Sequence, residues 1–131
     1  MTQTDPAPIA VPDEDNERIL GPFDLSTERR VVRREIGPGR VIYLRSLSPV
    51  ELAEWDAEVL DASGRYDRGR QKYQAAKLVA RVWCNPKGER FFADGDWGKL
   101  AEDQSGTVRL IHREASRFLG LFASDEESEK N

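Results

Sequence analysis

Alternating apolar and polar residues in the first half of the chain predict a β-hairpin. Residues 29–36 are rich in β-branched side chains, and residues 40–47 alternate, with Ile42 and Leu44 on one side of the run. A Gly-Pro-Gly sequence at residues 37–39 separates the two runs. Two such runs around this kind of turn are typical of a hairpin. A lone two-stranded hairpin is marginally stable, so it is expected to pack on another element.

Helical periodicity dominates the rest of the chain. Ser48 and Glu51 form a capping box, and Pro49 suits the first helical turn, so a helix is expected to start there. Apolar residues recur every three or four positions in the segments that follow. The predicted helices are residues 49–60, 70–84, 97–103 and 108–122.

Turn and capping residues set the predicted ends of these helices. Asn85 precedes Pro86, which disfavours the helical conformation and is expected to stop the second helix. Asp94 or Asp96 is expected to cap the third helix, and Ser105 or Thr107 the fourth. The predicted fold class is therefore α+β, with an N-terminal hairpin packed on a bundle of three or four helices.

The two ends of the chain differ from this middle part. Residues 1–22 hold four of the seven prolines and many acidic residues, and such a segment buries too little to offset its ordering entropy. The predicted organisation is a disordered acidic arm at 1–24, one domain at 25–122 and an acidic tail at 123–131. The apolar residues of the arm are candidate partner-dependent anchors: Ile9, Val11, Ile19 and Leu20.

Charge is distributed unevenly along the chain. The protein has a net charge of -4, but residues 1–28 carry -6 and residues 29–45 carry +5. The basic block is interpreted either as solvated arginine faces of the hairpin or as a surface that binds acidic groups. The acidic total disfavours nucleic acid and anionic membranes as partners. No apolar run approaches the ~18 residues that span a bilayer, and no signal-peptide pattern opens the chain.

Candidate catalytic and metal-binding residues are few. Cys84 is the single cysteine, which excludes an internal disulfide and a cysteine metal site. His112 is the single histidine, and its neighbours Glu114 and Ser116 have no spacing diagnostic of a catalytic triad. Asp94 starts a sequence like a calcium loop, but its twelfth position is Ser105 rather than glutamate. We therefore expect neither an enzyme nor a bound cofactor or metal ion.

Two sets of residues are candidates for binding a partner. Arg109, Arg113 and Arg117 recur at four-residue spacing on the last helix, where like charges are mildly destabilising unless an acidic surface faces them. That surface is either the acidic face of the first helix or an acidic partner. The second set is an apolar groove expected on the helical face, near Trp55, Trp83 and Phe118.

Residues 25–131 resemble the tail assembly chaperones of long-tailed bacteriophages. The resemblance rests on soft patterns spread along the chain rather than on a catalytic motif. They are Val-Ile-Tyr-Leu-Arg at 41–45, Leu-Ser-Pro at 47–49, the helix at 75–83, the turn and aromatic pair at 85–92, and a last helix that runs into an acidic tail ending Glu-Lys-Asn. The acidic arm has no counterpart role in this family.

The resemblance implies a function in virion assembly. Members of this family coat the tape measure protein while the tail tube polymerises, and they are absent from the mature virion. The expected location is therefore the cytoplasm of the bacterial host, and a homo-oligomer is compatible with it. The alternatives are a virion structural protein, such as a head–tail connector or tail terminator, and a nucleic-acid-binding regulator that uses Arg29, Arg30, Arg33 and Arg34.

The family is also known for a longer product made by ribosomal slippage. Glu129, Lys130 and Asn131 can be encoded GAA-AAA-AAC, which contains a heptanucleotide that permits a backward slip by one. A programmed frameshift there would yield a minor product with an added domain that recruits the tail tube protein. The alternative is an ordinary solvated tail, because these residue types are common at exposed ends.

Overall fold

The computed structural model describes residues 17–121. Predictions that concern residues 1–16 and 122–131 lie outside the described residues. They include the anchors Ile9 and Val11, the acidic tail, and Phe122 as part of the last helix. Residues 17–24, which were assigned to the disordered arm, are described and include a 3-10 turn at Pro22–Asp24.

The predicted hairpin is confirmed as two antiparallel strands, β1 (Val31–Gly37) and β2 (Arg40–Arg45). Gly39 has a φ of 71°, a value that favours glycine in the turn after Pro38. The register shifts between Glu35 and Gly37, which makes a bulge next to the turn. Alternate residues of β1 are partly buried, so one face of the hairpin is turned toward the helices.

A third strand was not predicted from the sequence. Residues 70–84 were expected to form one helix, but Trp83–Cys84 form strand β3, which pairs with β2 through Leu44 and Tyr43. The sheet order is β1-β2-β3. The chain then folds back through the predicted turn, where the Gly88 amide donates to the Asn85 carbonyl at 2.9 Å. Pairing with β2 outweighs the helical preference of two residues close to Pro86.

Five helices are present within residues 17–121, and two of them are single turns. They are α1 (Pro49–Asp56), α2 (Arg68–Gln71), α3 (Gln74–Val82), α4 (Gly98–Ala101) and α5 (Thr107–Phe118). The predicted second helix is therefore divided into α2, α3 and β3. The first helix is shorter than predicted, because a 3-10 turn at Ala57–Val59 follows it.

Helix starts agree with the sequence at α1 but not at α4 or α5. Ser48 and Glu51 make the predicted reciprocal capping bonds. Helix α4 has no side-chain cap, so the prediction for Asp94 or Asp96 is wrong, and Asp94 instead pairs with Arg90 at 2.9 Å. Helix α5 follows Gly106, and the first-turn amide of Val108 donates to Asp103. The Ser105 hydroxyl accepts a hydrogen bond from the Thr107 amide, but Gly106 is the N-cap residue.

The core lies where the sheet meets α3, α4 and α5. Strand β2 contributes two residues, α3 five, α4 one and α5 two, and all are almost inaccessible to solvent. They are Ile42, Leu44, Ala76, Leu78, Val79, Ala80, Val82, Leu100, Ile111 and Ala115. The α+β fold class is thereby confirmed, with the hairpin packed on the helices as predicted.

Two arginines tie the sheet to the end of α3. Arg45 donates through Nε to the Arg81 carbonyl at 2.9 Å, and Arg90 donates through Nε to the Ala80 carbonyl at 3.1 Å. The last carbonyls of a helix have no partner within the helix, and cations at this end also complement its dipole. These bonds fix the exit of α3 and hence the placement of β3.

Candidate partner-binding surface

Trp55 on α1 is locked against the start of α3 by a pair of hydrogen bonds. Its indole N–H donates to the Gln74 carbonyl at 2.9 Å, and the Gln74 side-chain amide donates to the Trp55 carbonyl at 2.8 Å. Gln74 is buried. Because this exchange holds the indole in place, Trp55 forms a fixed wall rather than a mobile surface side chain.

A cavity of about 330 Å³ opens beside Trp55. Its other walls include Val59 and Tyr66 from the segment after α1, Lys72, and His112 from α5. Tyr66 is 60% exposed. The lining mixes apolar and polar side chains and is open to solvent, since it also includes Asp56, Gln71, Gln74 and Ala75.

A second cavity, of about 480 Å³, lies along the first half of α5. It is lined by Leu110 and His112 and rimmed by Arg109 and Arg113. His112 lines both cavities. We call this region the tryptophan–arginine surface and define it by Trp55, Tyr66, Arg109, His112 and Arg113.

Two of the three arginines predicted on α5 form no ion pair within residues 17–121. Arg117 pairs with Glu114 at 3.3 Å on its own helix. Arg109 and Arg113 are exposed, and neither takes part in an ion pair within residues 17–121. Nearby, Arg40 donates to the Thr107 hydroxyl at 3.2 Å. The start of α5 therefore presents basic side chains at the rim of the second cavity.

Two of the acidic residues predicted for the first helix pair with other parts of the fold. Glu51 accepts two hydrogen bonds from Arg29, at 2.8 and 3.0 Å. Glu58 binds Arg81 at 2.6 Å and lies 3.7 Å from Lys77. Of the two alternatives for the arginine stripe, the internal one is thus not formed by Arg109 and Arg113 within residues 17–121.

The three aromatics predicted to share one groove have different neighbours. Trp83 contacts Phe91 edge to face, with ring centroids 5.4 Å apart, and lies 6.0 Å from Phe92. Phe118 lies beneath the guanidinium groups of Arg30 and Arg34, at 5.2 and 5.7 Å. Only Trp55 lines the cavity described above. All three side chains are partly buried and pack against the core.

The basic block at residues 29–45 does not present its arginines as one patch. Arg29 pairs with Glu51, whereas Arg30 and Arg34 stack on Phe118. Arg33 is exposed and belongs to the alternate set of β1 positions, on the other face of the hairpin. The four arginines proposed for nucleic-acid contact therefore point to different surroundings.

An exposed apolar segment at the N-terminal side was only partly found from the sequence. Ile19 and Leu20 are among the predicted anchors, whereas Phe23 and Leu25 were not predicted. All four side chains are largely exposed. We call residues 17–25 the N-terminal segment. The missed signal was Gly21 and Pro22, which start a turn between two pairs of large apolar residues.

Nucleophilic chemistry finds little support among the described residues. The Ser116 hydroxyl lies 3.5 Å from His112 Nε2, but Ser116 is only 2% exposed, so a substrate has no access to it. Burial lowers the pKa of His112. Burial likewise raises the pKa of the Cys84 thiol, which disfavours the reactive thiolate.

Metal-ligand clusters and membrane-spanning helices are also absent from residues 17–121. No three side chains from His, Cys, Asp and Glu lie close enough there to hold a metal ion. None of the described helices combines the length and the apolar character needed to cross a bilayer.

Comparisons with protein-family models, with curated proteins and with solved structures find no match to this chain.

Proposed function

We propose that this protein is a phage tail assembly chaperone, which binds an amphipathic segment of the tape measure protein in the cytoplasm of the bacterial host and is absent from the mature virion. The observation that carries the proposal is the tryptophan–arginine surface, where an open cavity beside Trp55 lies near Arg109 and Arg113, which form no ion pair within residues 17–121. The resemblance of residues 25–131 to that family supplies the identity of the partner.

The chemistry of the surface suits such a partner. A long helical protein exposes apolar stripes, which aggregate unless they are covered. An amphipathic helix lays its apolar face in a groove and keeps its charged flanks at the rim. Trp55 and Tyr66 provide apolar contact area, while Arg109 and Arg113 select helices whose flanks are acidic.

Co-expression with the tape measure protein tests the proposal. The wild-type chain is expected to keep that protein soluble and to co-purify with it. Reversing both rim charges, with Arg109→Glu and Arg113→Glu, is expected to reduce recovery of the complex at least tenfold. A control with the same change in net charge, Arg33→Glu with Lys87→Glu, is expected to behave like the wild type, because both residues are exposed outside this surface.

Two results would contradict the proposal. One is a tape measure protein that stays soluble alone and never co-purifies with this chain. The other is stoichiometric recovery of this chain from purified virions by mass spectrometry, which would favour the structural-protein alternative.

A further inference from the structure

Strand β1 is an edge of the sheet, and no strand lies beside it in the described part of the chain. The Ser46 amide donates to the Arg30 carbonyl at 2.8 Å, so Arg30 directs its carbonyl toward the partner strand. This direction alternates along an antiparallel strand, so the amides and carbonyls that point away from β2 are those of Val31, Arg33 and Glu35. Such an exposed row of backbone groups is a template for pairing with another extended chain.

The edge is regular over the length that a docked strand needs. Residues 31–35 pair with β2 without interruption, and the bulge lies beyond them, between Glu35 and Gly37. None of these five residues is proline, so no amide is missing from the edge. The Arg34 guanidinium donates to the Arg33 carbonyl at 3.3 Å. The amide of a partner chain can replace this long, exposed bond at little cost.

Three arginines give the edge positive charge on both faces of the strand. Arg30 and Arg34 hold their guanidinium groups 5.2 and 5.7 Å from the Phe118 ring, on the side of α5. Arg33 is exposed on the opposite face. None of the three forms an ion pair within residues 17–121. The edge therefore complements an extended chain that carries acidic side chains on both of its own faces.

The same charges disfavour a second copy of β1 as the docked strand. A two-fold antiparallel pair centred on Arg33 or on Arg34 sets that arginine opposite itself. A pair centred on Val32 sets Arg30 of each copy opposite Arg34 of the other. Like charges directly opposite each other destabilise a sheet, whereas opposite charges stabilise it. The edge thus resists pairing with itself and favours an acidic strand.

We propose that an extended, acidic segment of another protein adds to β1 as an antiparallel fourth strand of the sheet. The residue of that segment opposite Val32 lies on the side of α5, flanked by two guanidinium groups. The residue opposite Arg33 lies on the other face. Both positions suit an acidic side chain, whereas the position opposite Glu35 repels one. The expected recognition sequence is therefore two adjacent acidic residues flanked by uncharged ones.

This edge is separate from the tryptophan–arginine surface. It faces the end of α5 at Phe118, whereas Arg109 lies near the start of that helix, at the rim of the second cavity. The inference therefore adds a second binding surface and does not depend on the proposed function. Its assays contain no tape measure protein, so their failure leaves the chaperone proposal unaffected.

A labelled synthetic peptide with the sequence TVEEVT tests the proposal on the full chain. Its first glutamate is designed to lie opposite Arg33 and its second opposite Val32. Fluorescence anisotropy is expected to show saturable binding, and a peptide with lysine at both positions is expected to bind at least tenfold more weakly. Arg33→Glu is expected to weaken binding of TVEEVT at least tenfold. The matched control is Arg65→Glu, which changes an exposed arginine outside the sheet and is expected to bind like the wild type.

Two further comparisons separate strand pairing from a general attraction between charges. Arg33→Glu is expected to bind TVKEVT more tightly than TVEEVT, because the cross-strand pair is restored with its charges exchanged. An N-methyl group on the first glutamate is expected to abolish binding, since that amide faces β1. The same group on the second glutamate is expected to be tolerated, since that amide points away. Absence of rescue, or equal effects of the two methyl groups, would overturn the proposal.

Amide hydrogen exchange locates the docked strand. Saturating TVEEVT is expected to slow exchange at Val31, Arg33 and Glu35, while the amides of Val32 and Arg34, which face β2, change little. Slow exchange at the first three in the dilute free protein would show that a segment of this chain already occupies the edge. Exchange that slows as the protein concentration rises would show pairing between copies. Either result, or no effect of the peptide, would overturn the proposal.

Discussion

The N-terminal segment and helix α5 contain similar residues, large apolar side chains next to charged ones, but place them in opposite ways. In α5, Ile111 and Ala115 are fully buried, while Arg109 and Arg113 are exposed and have no ion pair within residues 17–121. In the N-terminal segment Phe23 is fully exposed, while Arg18 and Asp24 pair with each other.

The difference follows from length and period. Helix α5 has twelve residues, enough for a continuous apolar stripe that faces the core. The N-terminal segment has one 3-10 turn, and all of its residues are exposed. Helix α5 therefore contributes apolar side chains to the core and exposes charged ones, whereas the N-terminal segment exposes its apolar side chains.

The largest expected effect separates the two elements by their contribution to stability. Ile111→Ala removes a fully buried side chain and is expected to lower the free energy of unfolding by about 2–5 kcal/mol. Phe23→Ala removes a larger side chain but is expected to change it by less than about 0.5 kcal/mol, because the ring is already in water.

Urea unfolding at one fixed protein concentration measures both variants. A loss above 1 kcal/mol for Phe23→Ala would show that the segment packs on its own body. That result would remove the contrast between the two elements.

Much of the fold could be predicted because local signals agreed with tertiary packing. The hairpin, the Ser48 cap and the apolar stripe of α5 are each specified within a few residues. The third strand could not be predicted, because Trp83 and Cys84 continue the apolar period of α3. Their conformation depends on hydrogen bonds to β2, which is forty residues away in sequence.

The candidate surface was predicted less completely than the fold. The arginine stripe was found because charge spacing on a helix is visible in sequence. The cavity was not, since it depends on Tyr66 and His112 meeting Trp55 from three separate elements. Trp83 and Phe118 were assigned to a groove because large aromatics suit one, but Phe91 and the two hairpin arginines cover them instead.

An intermediate effect is expected where the N-terminal part of the chain joins the body, at the ion pair of Arg29 with Glu51. The Arg29 guanidinium and the Ser48 amide lower the pKa of Glu51 from 4.5 to about 2. A lowered carboxyl pKa stabilises the fold fully above about pH 4.5, and that stability is lost as the pH falls toward 2. Because solvent screens this pair, we expect Glu51→Gln to cost about 1 kcal/mol at pH 7.

Unfolding curves measured from pH 7 to pH 2 check this prediction. The wild type and Glu51→Gln are expected to converge in stability as the pH approaches 2. Glu54→Gln, an exposed residue of the same helix, serves as the control and is expected to follow the wild type. If the difference between wild type and Glu51→Gln stays constant down to pH 2, the ion pair is not its cause.

The smallest expected effect concerns the exposed arginines of α5 that form no ion pair within residues 17–121. Arg113 lies four residues from both Arg109 and Arg117, and like charges at this spacing destabilise a helix by a few tenths of a kcal/mol per pair. Arg113→Gln is therefore expected to stabilise the monomer by about 0.5 kcal/mol at low salt. Salt screens exposed charges, so the gain is expected to shrink toward zero near 1 M.

The matched control is Arg117→Gln, which removes one like-charge pair but also the ion pair with Glu114. These two losses oppose each other, so little net change in stability is expected. The same Arg113→Gln substitution is expected to lower recovery of the complex with the tape measure protein, because it removes one of the two arginines at the rim. If Arg113→Gln instead destabilises the protein at low salt, Arg113 makes a favourable interaction within the fold, and its charge is not free for a partner.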